Sequence, residues 1–486
     1  MKSSVLRRAR EYEKNHGGGE RPLFHLTPAV GWMNDPNGFV RYGGEYHLFY
    51  QYNPYDTVWG PMHWGHAVSK DLLRWDYLPC ALAPDSEADG GGCFSGCSVV
   101  TADGKLALVY TGVTKDREHE GRNLQVQCLA TGDGTDFDKM PAPVIDGSML
   151  PDGGSAEDFR DPKVLDGGDG FYYLYAVNRG PEGKGQLLAY RSEDLARWNY
   201  CGVLLKNDFD LGVMWECPDL FSLDGKDVLM MSAQDSPQGD DFDRGCIAVC
   251  AVGSYDRAVN RFHVESVFQV DRGLDFYAQQ TILTDDGRRV MVAWMQNWDI
   301  CGYKTGSACW FGQMTAPREI WLEKGRLCQM PVREIESLWK NKTEITGMRL
   351  ENASCMPDAV SGRCLDLCMT VRTGGGFPSC FELRLFEGDG RFVRVYYDFV
   401  RKMAGMDRSR AGSRKSFLHE RSCHYEPEGQ DLKLRILTDR NSVEVFFGRG
   451  ELAMSMCVYE EKLGDRVSFE MDGSAELDIT CHQLGL

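Results

Sequence analysis

Three short clusters in this 486-residue chain bring carboxylates together with turn-forming or stacking residues: Trp32-Met33-Asn34-Asp35-Pro36-Asn37-Gly38, Phe159-Arg160-Asp161-Pro162 and Trp215-Glu216-Cys217-Pro218-Asp219. Taken singly, each reads as a turn, because N-D-P-N-G and D-P are strong turn chemistry. Taken together they differ, because each opens one copy of a repeated unit. Cleavage of a glycosidic bond needs two carboxylates. One is ionised and attacks or assists at the anomeric carbon, and the other carries a proton for the leaving oxygen. A third acid close by can bind sugar hydroxyls and raise the acid's pKa by like-charge repulsion. Sugar rings stack on aromatic faces, and Trp32, Trp59, Phe94, Trp294 and Trp298 fall in loops or strand ends expected to face the same pocket.

The elements that must position these groups follow from an internal repeat. Five segments share a layout of polar cluster, short β-rich run, Gly/Asp turn and strongly apolar β-rich run. They open near Asp35, Ser95, Asp161, Glu216 and Gln280, about sixty residues apart. SKDLLRW (Ser69–Trp75) and SEDLARW (Ser192–Trp198) repeat the tail of the unit. Such a repeat predicts four-stranded blades around a central channel, an all-β five-bladed β-propeller over residues 22–335. Its first strands would line the channel and bring Asp35, Asp161 and Glu216 together. Residues 1–21 are expected to be a helical extension and 336–348 a linker. From 349 to 486, period-2 alternation with frequent turns predicts a C-terminal β-sandwich.

Composition narrows the function classes. The net charge of −18 leaves no basic footprint for nucleic acid or an anionic membrane. A neutral small-molecule sugar is the expected partner, with the protein a monomer or homodimer. The N-terminus has no apolar secretion core, and the 18 cysteines lie scattered, mostly in apolar runs such as GCIAVC, which predicts reduced thiols and a cytoplasmic location. His63 and His66 have no third ligand at metal-binding spacing, so neither metal nor organic cofactor is expected.

The ordered motifs WMNDPNG, FYQYNP, WGPMHWGH, FSG, FRDP and WECPD, with FYAQQ, AWMQNW, MTAPRE, MDRSRAG and DRNSVEVFF further on, resemble glycoside hydrolase family 32, the family of invertases, sucrose-6-phosphate hydrolases and fructanases. The resemblance runs from about residue 22 to the end. It implies a retaining β-fructofuranosidase with Asp35 as nucleophile, Glu216 as acid/base and Asp161 as transition-state stabiliser beside Arg160. Asn34, Gln51, Trp59, Phe94, Ser95 and Trp294 match positions that line the fructose pocket, and Trp32 is added as a stacking residue. Retention implies carboxylates about 5–5.5 Å apart. Cys97, Gln279 and Ala316 depart from the family pattern, and Cys97 and Gln279 are expected at the pocket rim. A fructosyltransferase or a non-catalytic sugar-binding propeller are the alternatives on the same scaffold. Arg117, Arg122, Arg179, Lys184 and Lys304 fall in candidate rim loops for a substrate phosphate.

Overall fold

The structure is a computed structural model. It describes residues 2–117, 119–301, 309–374, 376, 378–412, 418–460 and 462–486. Five sheets form the blades of a propeller. Their innermost strands are Gly31–Tyr42, Gly92–Val100, Phe159–Asp166, Met214–Leu223 and Tyr277–Leu283. Each neighbours the next around the axis, and the fifth returns to the first.

Local chemistry explains the hairpins. Tyr42 pairs with Glu45 across Gly43-Gly44, and Leu223 pairs with Lys226 across Asp224-Gly225. All four turn residues have φ between 48° and 88°, as a two-residue hairpin matched to strand twist requires. The duplicated SKDLLRW and SEDLARW segments fold alike. Asp71 and Asp194 each accept hydrogen bonds from backbone N–H groups two and three residues on, and Leu72 and Leu195 are both left-handed, with φ of 67° and 64°.

Apolar faces of adjacent blades bury one another. Cys97, Val109 and Leu129 of the second blade pack with Val164, Leu174 and Tyr190 of the third, and Tyr175 and Leu187 of the third with Trp215 and Leu229 of the fourth. Each such buried aliphatic or aromatic side chain contributes about 1.5–3 kcal/mol. The ring closes through the short strand Trp310–Phe311, which pairs in parallel with Gly31 and Trp32, and through Met314 N–H, which donates to Leu26 O at 2.8 Å.

Residues Ser4–His16 form an α-helix. Ser3 caps it, its hydroxyl accepting from Leu6 N–H at 3.0 Å, and Leu6 and Ala9 are its buried residues. The helix lies on the outer strand of the first blade, where Arg10 Nε donates to Cys80 O at 2.8 Å. No helix among the described residues is long and apolar enough to cross a membrane.

The C-terminal region is a ten-stranded sheet doubled on itself. Its long strands Trp339–Cys355 and Arg466–Leu484 pair with each other along both halves, and one core holds inward residues of both, including Leu367, Phe381, Val395, Val445 and Phe469. Residues 339–348, expected as part of a linker, belong to the first of these strands. They extend the sheet, because the part of Arg466–Leu484 that they pair with is itself held in the sheet by Leu365–Arg372 on its other side.

Propeller and sandwich meet at a buried ionic network. Arg318 is fully buried and donates from Nε to Glu444 Oε2 at 3.0 Å and from Nη1 to Asp271 Oδ2 at 2.9 Å. His25 lies between Asp439 Oδ2 at 2.9 Å and Glu444 Oε1 at 2.8 Å. Burial opposes a charge on His25, but the two carboxylates outweigh it and raise its pKa to about 9.

Candidate active site

A pocket of about 330 Å³ opens on the propeller axis, lined by Asn34, Asp35, Gln51, Trp59, Phe94, Ser95, Gln125, Asp158, Arg160, Asp161, Glu216, Gln234 and Trp298. One backbone device delivers its polar groups. Every innermost strand carries one residue more than its hairpin partner at the same height: at Asn34-Asp35, Ser95, Asp161-Pro162, Cys217-Pro218 and Ala278-Gln279. Such a bulge breaks the alternation of a strand and re-aims its side chains. Asp161, Cys217 and Ala278 take the left-handed backbone there, with φ of 59°, 49° and 54°. Hydrogen bonds to the freed amides hold that conformation. Asp161 N–H donates to Thr111 Oγ1 at 2.9 Å, Cys217 N–H to Asp161 Oδ2 at 2.9 Å and Ala278 N–H to Ser232 Oγ at 2.8 Å.

The bulges also correct the sequence alignment of the repeats. Asn34-Asp35, Asp161-Pro162 and Cys217-Pro218 occupy corresponding places, so Glu216 is in register with Arg160 and Asp35 stands one residue later than Asp161. Cys217 fills the carboxylate position of its blade. Its thiol reaches Asp35 Oδ2 at 3.6 Å and Asp161 Oδ2 at 3.7 Å.

The three acids have different surroundings. Asp35 accepts from Ser95 Oγ at 2.7 Å, and its Oδ1 has no protein partner among the described residues. Burial and the nearby Glu216 charge raise its pKa to about 6, against the lowering bonds from Ser95, Asn34 and Cys217. Burial pushes Asp161 up too; Arg160 opposes this, while Glu216 and Asp35 add to it. Glu216 is held on both oxygens, by Arg160 Nε at 3.1 Å on Oε1 and by the Tyr277 hydroxyl at 2.7 Å on Oε2. Arg160 Nη1 continues to Asp158 Oδ1 at 3.2 Å. The carboxylates of Glu216, Asp161 and Asp158 hold Arg160 firmly charged, against the cost of its burial.

Nine of the eleven site residues expected from sequence line this pocket. Trp32 and Trp294 do not. They are 3% and 0% exposed and stack behind the wall with Trp298 and Phe311. Trp32 contributes indirectly, its Nε1 donating to Asn34 Oδ1 at 2.8 Å. Trp294 ends a central blade strand, whose two faces are both covered. Sequence reasoning missed Gln125, Asp158, Gln234 and Tyr277; the signals available were the FYAQQ opening of the fifth repeat for Tyr277 and the end of the fourth repeat for Gln234.

Cys97 and Gln279 are not at the rim. Cys97 Sγ accepts from Val164 N–H at 3.1 Å between blades, and Gln279 Nε2 donates to Met231 O at 3.0 Å beneath the bulge. His63 and His66 are buried in the first blade, bonded to Pro61 O at 2.8 Å and to His47 at 3.0 Å. Lys304 lies outside the described residues.

Comparison with known proteins agrees with this architecture. The chain is 38% identical to a raffinose invertase of Escherichia coli over 90% of each chain, and 35% identical to a sucrose-6-phosphate hydrolase of Zymomonas mobilis over 94% of this chain and 90% of that one. Among solved structures, a Bombyx mori β-fructofuranosidase variant in complex with sucrose superposes with a TM-score of 0.85 at 32% identity, covering 100% of this chain and 99% of that one. The N-terminal domain model of glycosyl hydrolases family 32 matches residues 25–331 and the C-terminal model residues 334–483; the chain belongs to glycosyl hydrolases family 32.

Proposed function

We propose that this glycoside hydrolase releases terminal β-D-fructofuranosyl units from sucrose, sucrose 6-phosphate or related fructosides with retention at the anomeric carbon. Asp35 Oδ1 attacks that carbon while Glu216 gives its proton to the departing oxygen, leaving a fructosyl ester on Asp35. Glu216 then takes a proton from water, whose oxygen displaces Asp35 and releases fructose. Asp161, anchored by the Cys217 amide, binds ring hydroxyls. Arg160 and Tyr277 aim Glu216. Asn34, Gln51 and Ser95 line the sugar site, and Trp59 and Phe94 form an edge-to-face pair at its mouth, centroids 6.0 Å apart.

The observation that carries this reading is the convergence of Asp35, Asp161 and Glu216 on one pocket, with one Asp35 oxygen held by Ser95 and the other unpartnered. The eighteen free cysteines fit a reducing, cytoplasmic setting. The test is fructose release from sucrose, sucrose 6-phosphate and inulin in parallel, with Asp35→Ala as control. Release that vanishes in the variant supports the assignment; no release by the folded wild type from any of the three rejects it.

A further inference from the structure

The depth of the pocket is graded. Asp35 and Asp161 are 8% and 4% exposed at its floor, while Trp59, at 49%, stands at its mouth. An enzyme that removes a terminal fructosyl unit seats that unit at the floor and points the rest of the substrate outward. What lines the mouth therefore meets the leaving group.

Four carboxylates, Asp35, Asp158, Asp161 and Glu216, line this pocket against one guanidinium, Arg160. Of the cations that fall in candidate rim loops for a substrate phosphate, the four among the described residues are each engaged by an acid. Arg117 pairs with Glu87, Arg122 Nε with Glu157 Oε1 at 2.8 Å and Lys184 with Asp210 Oδ1 at 2.7 Å. Arg179 is the one bound to a pocket-lining group, since its guanidinium pairs with Asp158.

Asp158 is built into place rather than loosely exposed. Its N–H donates to Ser155 Oγ at 3.1 Å, and its carbonyl accepts from Arg179 N–H at 3.1 Å and Asn178 Nδ2 at 2.8 Å. Its two carboxylate oxygens are divided between Arg160 and Arg179.

Resting on the reaction proposed above, we propose that Asp158 is a specificity-determining residue that selects a neutral leaving group. It occupies Arg179, the cation best placed to receive a phosphate, and adds a negative charge where a phosphomonoester on the leaving sugar would sit. Like charges brought together in a confined site reject the wrong partner more strongly than they weaken the right one. Sucrose and its neutral extensions satisfy this pocket better than sucrose 6-phosphate does.

The experiment compares kcat/KM for sucrose and for sucrose 6-phosphate in wild type, Asp158→Asn and the double variant Asp158→Asn/Arg179→Ala. The ratio of the two substrates within one variant cancels damage to shared catalytic steps. Wild type is expected to favour sucrose by at least about tenfold. Asp158→Asn narrows that preference at least about fivefold by unmasking Arg179, and removing Arg179 as well restores it. A wild-type ratio near one or in favour of the phosphate, or a ratio unchanged in Asp158→Asn, overturns the proposal while leaving the reaction intact. A folded wild type that cleaves neither overturns the reaction reading and this proposal with it.

Discussion

Ser95 donates its hydroxyl hydrogen to Oδ2 of Asp35 at 2.7 Å and leaves Oδ1 without a protein partner among the described residues. The bond fixes the carboxylate plane and keeps one oxygen's lone pairs available. It also lowers a pKa that burial and Glu216 have raised to about 6. The attacking form is the ionised one, so kcat/KM should fall about tenfold per pH unit below about 6. Ser95→Ala removes a lowering contact and moves that acidic limb to higher pH. A pH profile of sucrose cleavage for the two proteins checks both statements.

The same shift makes Asp35 costly to the fold. Its folded pKa lies above its ordinary value, so the cost of ionisation is fully present above pH 6 and vanishes below the ordinary carboxylate range. Linkage puts it at about 2–3 kcal/mol. Asp35→Asn keeps the Ser95 bond without the charge. It should abolish turnover and raise Tm at pH 8, with the two melting curves converging as pH falls toward 4. An unchanged Tm at pH 8 refutes this.

Glu216 is expected to be separable from binding. Glu216→Gln should lower kcat by about 10²–10⁴ while sugar binding, followed by tryptophan fluorescence, persists. Tyr277→Phe removes one of the two bonds that aim Glu216 and should lower kcat by about tenfold with little change in KM. Near-normal kcat in Glu216→Gln rejects its role.

Two tryptophans should respond differently. Trp59, half-exposed at the mouth, is a platform, so Trp59→Ala should lower kcat/KM by about tenfold at nearly constant Tm. Trp294 is fully buried behind the wall, so Trp294→Ala should cost about 3–5 kcal/mol of stability through the cavity it leaves. Thermal melts beside substrate kinetics distinguish them.

His25 should make stability pH-dependent. Its raised folded pKa means that its contribution is complete below about 6.5 and is lost as pH rises through about 9. His25→Gln should therefore lower Tm clearly at pH 7, by the equivalent of about 2–3 kcal/mol, with the gap closing above pH 9. A gap that stays constant across this range contradicts the assignment.

The sequence announces the propeller because each blade is local: a turn with a stated φ requirement and an alternating strand pair, repeated. It announces Asp35 and Asp161 because Asp-Pro marks the place. It misplaces Asp35 and Glu216 by one residue each relative to Asp161, because the bulges that set the true register depend on amides and hydroxyls from neighbouring blades, such as Thr111 with Asp161. Trp32 and Trp294 carry the composition of a sugar platform, but only the three-dimensional packing reveals which aromatic faces the cavity. Asp158 escapes notice because its meaning lies in Arg179, which reaches it from the adjacent hairpin strand.

The closing strand Trp310–Phe311 has a consequence for the birth of the enzyme. Asp35 leaves the ribosome before Asp161 and Glu216, yet Tyr277, one of the two groups that aim Glu216, arrives from the last blade, and the seam joining the two is made only after Met314 has emerged. No shorter nascent chain holds the complete pocket. The ring is therefore completed in a single locking event, and the pocket closes with the final turn of the propeller rather than blade by blade.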